Sequence, residues 1–314
     1  MLGRTASSMF WIARYMERVE NLARLLEVGY RISLTPGADG SYRSEWESTL
    51  TAAACLDGFR EKYETADQAS VVDFLLFDRS NPSSVRSCLE AARNNGRSVR
   101  IALTSEMWEA LNSAYMDYSS IRPGDLKSRR IPELLDWVRG RALLFRGAML
   151  GTILRNAGYY FSQLGAFVER ADQTARILDV KYYILLPRQD MVGGDIDTYQ
   201  WETILRSVSA HRSYRHVYHD TYRSRNIAEF LILRPEMPRS LHHCYGWINS
   251  SLDGLSKKYG TSSESLRVSD DMIRALRATD MEMIFRDGLH EFLTRFIQKN
   301  NSLAEQISKD FHFA

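Results

Sequence analysis

Cysteine is scarce in this chain: Cys55, Cys88 and Cys244 are the only three in 314 residues. An odd, sparse set without a CxxC pair excludes a disulfide framework and points to a reducing cytosol. Long apolar runs are missing as well. No stretch reaches the ~18 uncharged apolar residues that a membrane span needs. Arg14, Glu17, Arg18 and Glu20 interrupt the apolar run after Met9–Ala13, so no secretory leader is read there, and the expected location is cytoplasmic. A surplus of one charge is also absent. Lys and Arg number 41 against 39 Asp and Glu, a net charge of +2, which argues against a general nucleic-acid binder. No GxSxG, P-loop, GxGxxG or HExxH pattern occurs, and no order of Ser, Cys and His suggests a triad.

What is present is helical periodicity. Ile12, Tyr15, Val19, Leu22 and Leu26 recur at spacings of three and four, one broad apolar face. Ser7 or Ser8 is the expected N-cap of that helix, and the TPGADG stretch at 35–40 its expected stop. Further helices are expected over 44–64 and 69–78, over a long segment 82–117 opened by Pro82 and kinked near Gly96, and from Pro132 to Leu150. Others are expected over 199–223, 226–234 and 283–309, and from Pro238 with an interruption at Lys258–Ser263. No strand-like alternation appears. The reading is all-α, with about ten helices.

The chain also echoes itself. YMERVENLARLLEVGY (15–30) returns as FVERADQTARILDVKY (167–182), identical at seven of sixteen positions. Trp46-Glu47 returns as Trp201-Glu202. Phe74, Leu75, Pro82, Ser84 and Cys88 return as Phe230, Leu231, Pro238, Ser240 and Cys244. The expectation is two diverged helical units of ~155 residues related by a pseudo-two-fold. Residues 1–130 form the first, ending in a linker at 119–130. Residues 131–155 form a connecting helix and 156–314 the second unit, together one domain. Cys88 and Cys244, at matching places, are expected as buried packing residues.

The most polar part of the echo is E-R-x-[ED]-x3-R-x2-[ED]: Glu17, Arg18, Glu20, Arg24 and Glu27, then Glu169, Arg170, Asp172, Arg176 and Asp179. At about 100° per residue, positions 17, 20, 24 and 27 fall within roughly 80° of one helix face. Three readings stay open. The column is a solvated face of i,i+4 pairs worth ~0.2–0.5 kcal/mol each. Alternatively, two equivalent helices pack about a two-fold, and the acids of each meet the arginines of the other. Or the column lines a polar pocket between the units. In the pocket reading Glu17 and Glu169 are the catalytic acid/base candidates. Arginines would grip a carboxylate or phosphate. Glu17, Glu20, Glu169 and Asp172 are the carboxylates that a Mg²⁺ ion would use, although the Glu-x-x-His spacing of di-iron bundles is missing. No cofactor is expected.

A second polar stretch, HRSYRHVYHDTYRSR (211–225), places Arg212, Arg215, His216, His219 and Arg223 towards one side of a helix. It offers an anion, or less well a nucleic-acid backbone, a basic face with tyrosines for stacking.

With these residues in hand, the chain resembles the bacterial alpha-E domain family over its whole length. The resemblance rests on MFWIARYMERVENLARLLEV, SVRSCLEAARNNGRSVRIALTSEMWEALN, FVERADQTARILDVKYY and FLILRPEMPRSL. It implies an all-helical domain that accompanies a circularly permuted ATP-grasp ligase and a transglutaminase-like cysteine peptidase. That company suggests a system making or trimming amide-linked peptides. The implied role is a non-catalytic or co-catalytic partner of the ligase, holding an acceptor peptide, amine or anionic group. The alternative is an enzyme in its own right that uses the repeated Glu/Arg motif for amide transfer or hydrolysis. The family's signature residues fall on Arg14, Glu17, Arg18, Glu20, Arg24, Glu169, Arg170, Asp172 and Arg176. Ala13 stands where glycine is common, and Ala166 where Arg14 has its counterpart.

Overall fold

The computed structural model describes residues 1, 3–34, 45–125, 130–183, 194–219 and 222–313, and every regular element among them is helical. The expected helix stop at 35–40, residues 126–129 of the linker and residues 184–193 lie outside the described residues.

Fifteen α-helices are described rather than about ten, because several expected segments break. The first four are α1 (Gly3–Ser33), α2 (Glu45–Ala52), α3 (Leu56–Arg60) and α4 (Gln68–Val72), the last continuing into a π turn at Asp73–Phe77. Helices α5 (Val85–Ser98), α6 (Ser105–Ser119) and α7 (Ile131–Thr152) follow. Next come α8 (Ala157–Tyr183), α9 (Asp195–Ser207), α10 (His211–Tyr218) and α11 (Ser224–Ile232). The last four are α12 (Leu241–Tyr259), α13 (Glu264–Ala278), α14 (Met281–Asp287) and α15 (Leu289–Asp310).

The breaks have local causes. Ala54 at φ 54° separates α2 from α3, and Ser209 at φ 56° separates α9 from α10. The segment 82–117 divides at Val99–Thr104, where a 3-10 turn ends in extended Leu103 and Thr104 caps the next helix. It does not kink at Gly96, which instead lies against the side chains of Leu111 and Trp108. Ser84 and Ser240 cap α5 and α12 through the amides of Ser87 and His243, so the prolines at 82 and 238 precede the caps. The interruption after α12 falls where expected, with Gly260 left-handed at φ 69° and Ser263 capping α13. Helix α1 begins at Gly3, so Ser7 and Ser8 lie inside it, buried, rather than at its cap.

Helices α1 and α8 cross at the centre. Helices α2, α5, α7 and α9 pack around α1, while α12, α15 and α11 pack around α8. Residues on every side of α1 are therefore buried, including Glu17, Glu20, Asn21 and Arg24. The column of acids opposite the apolar stripe faces other helices and not water, which removes the solvated reading. Cys88 and Cys244 are fully buried, as expected of packing residues, and burial pushes both thiols up to about 12.

The crossing is tight because one residue has no side chain. A Cβ placed on Gly165 would stand 2.0 Å from the carbonyl oxygen of Phe10. Backbone cannot yield there as a side-chain tip could. Gly165→Val is expected to destabilise the fold by about 1–3 kcal/mol or more, as overpacked cores do. The urea midpoint measures this, and a midpoint within error of wild type would show that the two helices part without cost.

Candidate functional site

The charged column forms a seam between α1 and α8 in which the two copies of the motif serve each other. Arg170 Nε donates to Glu17 Oε1 at 2.9 Å and its Nη2 to Oε2 at 2.9 Å. Arg18 Nε donates to Glu169 Oε1 at 2.7 Å and its Nη2 to Oε2 at 3.0 Å. Each Glu-Arg pair thus exchanges partners with the other in bidentate geometry, the strongest form of this contact. Glu169 takes a further bond from Arg14 at 2.9 Å. The packed-helix reading is the one that matches this geometry.

The pairing is not symmetric. Ala166 stands where an arginine matching Arg14 would be, which leaves Glu17 one cation short. Arg146 of α7 fills the place, donating to Glu17 Oε2 at 2.7 Å and also to Glu20. Arg239, just before the α12 cap, reaches Glu20 at 2.5 Å, Glu17 at 3.4 Å and the Asn21 amide oxygen at 3.2 Å. Neither Arg146 nor Arg239 was among the residues expected from sequence. The shortfall at Ala166 is a signal for Arg146. Arg239 stands two residues' worth of echo from that logic: by the offset of Pro82 and Pro238 it occupies the place of Ser83, whose hydroxyl Arg18 meets at 3.4 Å.

The outer pairs close within their own helices. Arg24 donates to Glu20, and Arg176 to Asp172 at 2.7 Å. Arg24 also bonds the Ser207 carbonyl and, at 2.9 Å, the hydroxyl of strained Ser209. Glu27 meets Arg31 and Arg139, and Asp179 meets His290 at 2.8 Å.

Burial would push these carboxyls up, but the arginines dominate. Arg18 and Arg14 hold Glu169 at about 2. Arg239 and Arg146 hold Glu20 at about 2 against the repulsion of Glu17. Arg146, Arg170 and Arg239 hold Glu17 well below the ordinary carboxylate range. Burial lowers Arg239 to about 10 in spite of its acids.

All nine residues expected at the site are brought into this region, yet paired with one another and not around an open pocket. The cleft that reaches Glu17 and Arg146, past Ala13 and Ala166, encloses only about 10 Å³, room for about one water. Glu17, Glu20 and Glu169 are 2 % exposed or less. Their oxygens point at guanidinium groups, and among the described residues no three His, Cys, Asp or Glu side chains gather as metal ligands.

An accessible concavity lies elsewhere. A groove of roughly 600 Å³ is lined by Arg212, Ser213, His216 and Val217 of α10, by Phe230, and by the turn Arg234–Pro238. The basic face expected over 211–225 is only partly realised. Helix α10 ends at Tyr218, and His219 takes φ 55° beyond it. The tyrosines stack on one another. Tyr214 is fully buried, stacked with Tyr218 at 4.9 Å and Tyr222 at 5.7 Å.

The comparisons point to the same motif. The Alpha-E family model, described as a predicted alpha-helical domain with a conserved ER motif, matches residues 1–312. Glu17-Arg18 and Glu169-Arg170 are the two ER pairs of this chain. An uncharacterised protein of Mycobacterium bovis is 23% identical over 94% of this chain and 35% of its own length. Two uncharacterised proteins of Mycobacterium tuberculosis are 23% and 22% identical over the same shares. The chain therefore spans about a third of the length of these curated relatives. No solved structure matches. No helix among the described residues is long and apolar enough to cross a membrane.

Two measurements test the seam. Glu169→Ala strands Arg14 and Arg18 together, and breaking a buried pair from one side is expected to cost about 3–5 kcal/mol, read from denaturant unfolding. The depressed carboxyls also set an acid limb. Glu169 and Glu20 titrate at 4.5 when unfolded and near 2 when folded, so their contribution is complete above pH 4.5 and is lost as pH falls towards 2. Unfolding free energy should drop steeply over that window, and a flat profile there would contradict the pairing.

Proposed function

The chain belongs to the Alpha-E family, and we propose that it is a non-catalytic helical partner of an ATP-grasp amide ligase, seating an anionic group of the acceptor peptide in the α10 groove. The seam is the frame that holds that groove. The observation that carries this reading is the consumption of the motif's acids. Glu17 and Glu169, the acid/base candidates, are buried and ion-paired to three and two arginines respectively, whereas a general acid or base must reach the proton it moves.

The groove has the converse character. It is open, Arg212, His216, Arg234 and Glu236 lie in its lining with Arg234 held on Glu229 at 3.1 Å, and its floor is apolar at Phe230, Val217 and Met237. Arginines above an apolar floor suit a peptide carboxylate. Both walls are tied to the seam. Arg24 anchors the α9–α10 corner at Ser207 and Ser209. The opposite wall leads straight into Arg239, bonded to Glu20. The reciprocal ion pairs also support reading the chain as a doubled helical unit, with α7 as the connector.

Two experiments test the proposal. A labelled tri-glutamate peptide should bind with an affinity that weakens with salt, and Arg212→Ala with His216→Ala should lower it by about tenfold, the effect of losing a charge-assisted contact. A circularly permuted ATP-grasp ligase should co-purify with it at micromolar concentration. Absence of both would remove the reading. A duplex DNA probe that bound more tightly than the peptide would favour the nucleic-acid alternative.

A further inference from the structure

The two halves of the seam are not equally filled. On one half Arg239 stands between Pro238 and the Ser240 cap of α12, and its guanidinium serves Glu20 at 2.5 Å, Glu17 at 3.4 Å and the Asn21 oxygen at 3.2 Å. On the other half Ser83 stands between Pro82 and the Ser84 cap of α5, and its hydroxyl meets Arg18 at 3.4 Å. A serine ends where the path of an arginine begins. The groups on that half that match Glu20 and Asn21 are Asp172 and Gln173 of α8. Glu20 is ion-paired to Arg24, Arg146 and Arg239. Asp172, among the described residues, is ion-paired to Arg176 alone. The Asn21 oxygen accepts from Arg239, whereas Oε1 of Gln173 is buried and accepts no hydrogen bond. Gln173 is only 5% exposed, and a buried acceptor left without a donor costs the full desolvation of that group.

The unfilled half is also the one that meets water. The side chains of Arg18, Arg176 and Asp172 keep 20%, 19% and 9% of their surface exposed, against 8%, 6% and 0% for their counterparts Arg170, Arg24 and Glu20. All three are uncovered where the third arginine is missing, so the vacated path communicates with solvent. We propose that this place is a binding site for an alkylguanidinium group, which enters past Ser83 and donates to Asp172 and to Oε1 of Gln173. The charge of the ligand follows from which atom is stranded. The orphaned buried atom is an acceptor, and no arginine nitrogen is among the buried unpartnered atoms of the described residues. A planar fork of N–H donors suits a carboxylate with an amide oxygen beside it. Two flanking arginines do not forbid it, because Arg239 already lies close to Arg24 and Arg170 on the other half. The site is separate from the α10 groove and does not depend on it.

Calorimetric titration of the full chain with agmatine, to about 10 mM, reads this directly. Agmatine should bind with a Kd of about 1 mM, the range of a small fragment, and raise the melting temperature, as a ligand of the native state does. Ser83→Arg should abolish binding without lowering the melting temperature, because a tethered guanidinium then occupies the place. Gln173→Leu should weaken binding by about tenfold, the effect of losing one contact to a charged group, with no loss of stability because it removes an orphaned acceptor. An acetyl-Gly-Arg-Gly-amide peptide that binds more tightly than agmatine would assign the site to an arginine of a polypeptide, and the reverse order to a free guanidine. A chain that ignores both probes overturns the proposal. So does agmatine binding indifferent to Gln173→Leu and Ser83→Arg. Acetate or phosphate bound in place of agmatine, and lost on Ser83→Arg, would overturn it in favour of an anion between Arg18 and Arg176.

Discussion

Two carboxylates buried between crossing helices are the constraint on which the rest depends. Taking Glu17 and Glu169 out of water costs several kcal/mol each even after relaxation, and only well-formed pairing offsets that cost. The pairing is available at one register alone. Each glutamate must sit within bidentate reach of the arginine that follows the other glutamate. A slip of one helical turn would strand all four charges. The close approach of Gly165 to Phe10 works in the same direction, because it lets the helices come near enough for arginines to cross from one to the other. The seam therefore contributes specificity of packing more than net stability, since apolar residues of similar volume commonly match a buried ion pair.

The asymmetry of the seam shapes the surface of the molecule. On the Glu169 side the second cation, Arg14, comes from α1 itself. On the Glu17 side the corresponding place holds Ala166, and the cations are brought from α7 and from the turn before α12. Those two segments are consequently fastened to the centre by Arg146 and Arg239. They are also the segments that carry two outward features, the exposed Leu143, Leu144 and Leu150 of α7 and one wall of the α10 groove. An interior electrostatic need thus holds two surface elements in place.

Part of this was legible in the sequence, and the limits have physical causes. The all-helical class follows from apolar spacing at three and four residues. The reciprocal pairing was one of three open readings, and periodicity could not choose among them. A column opposite an apolar stripe faces water on a peripheral helix and faces neighbours on a central one, and centrality is a tertiary property. Helix number was underestimated because Ala54 and Ser209 break helices through positive φ without the glycine or proline that usually announces a break. Arg146 and Arg239 lie far from Glu17 along the chain, and nothing local marks them. The missing counterpart of Arg14 marks only the vacancy that Arg146 fills.

The position of the acids bears on what such a domain can do. A catalytic carboxylate is poised by partial desolvation and left one face for its substrate. Glu17 and Glu169 have no such face. Each is enclosed by two or more guanidinium groups, and both are held ionised far below neutral pH. Moving a proton onto either would break the contact that sets the α1–α8 register, so chemistry there would compete with folding. A domain whose charged motif is spent on its own interior has its exterior left for function. The exterior here offers an open groove beside α10 and exposed leucines on α7, surfaces that the interior motif leaves free for contact with other molecules.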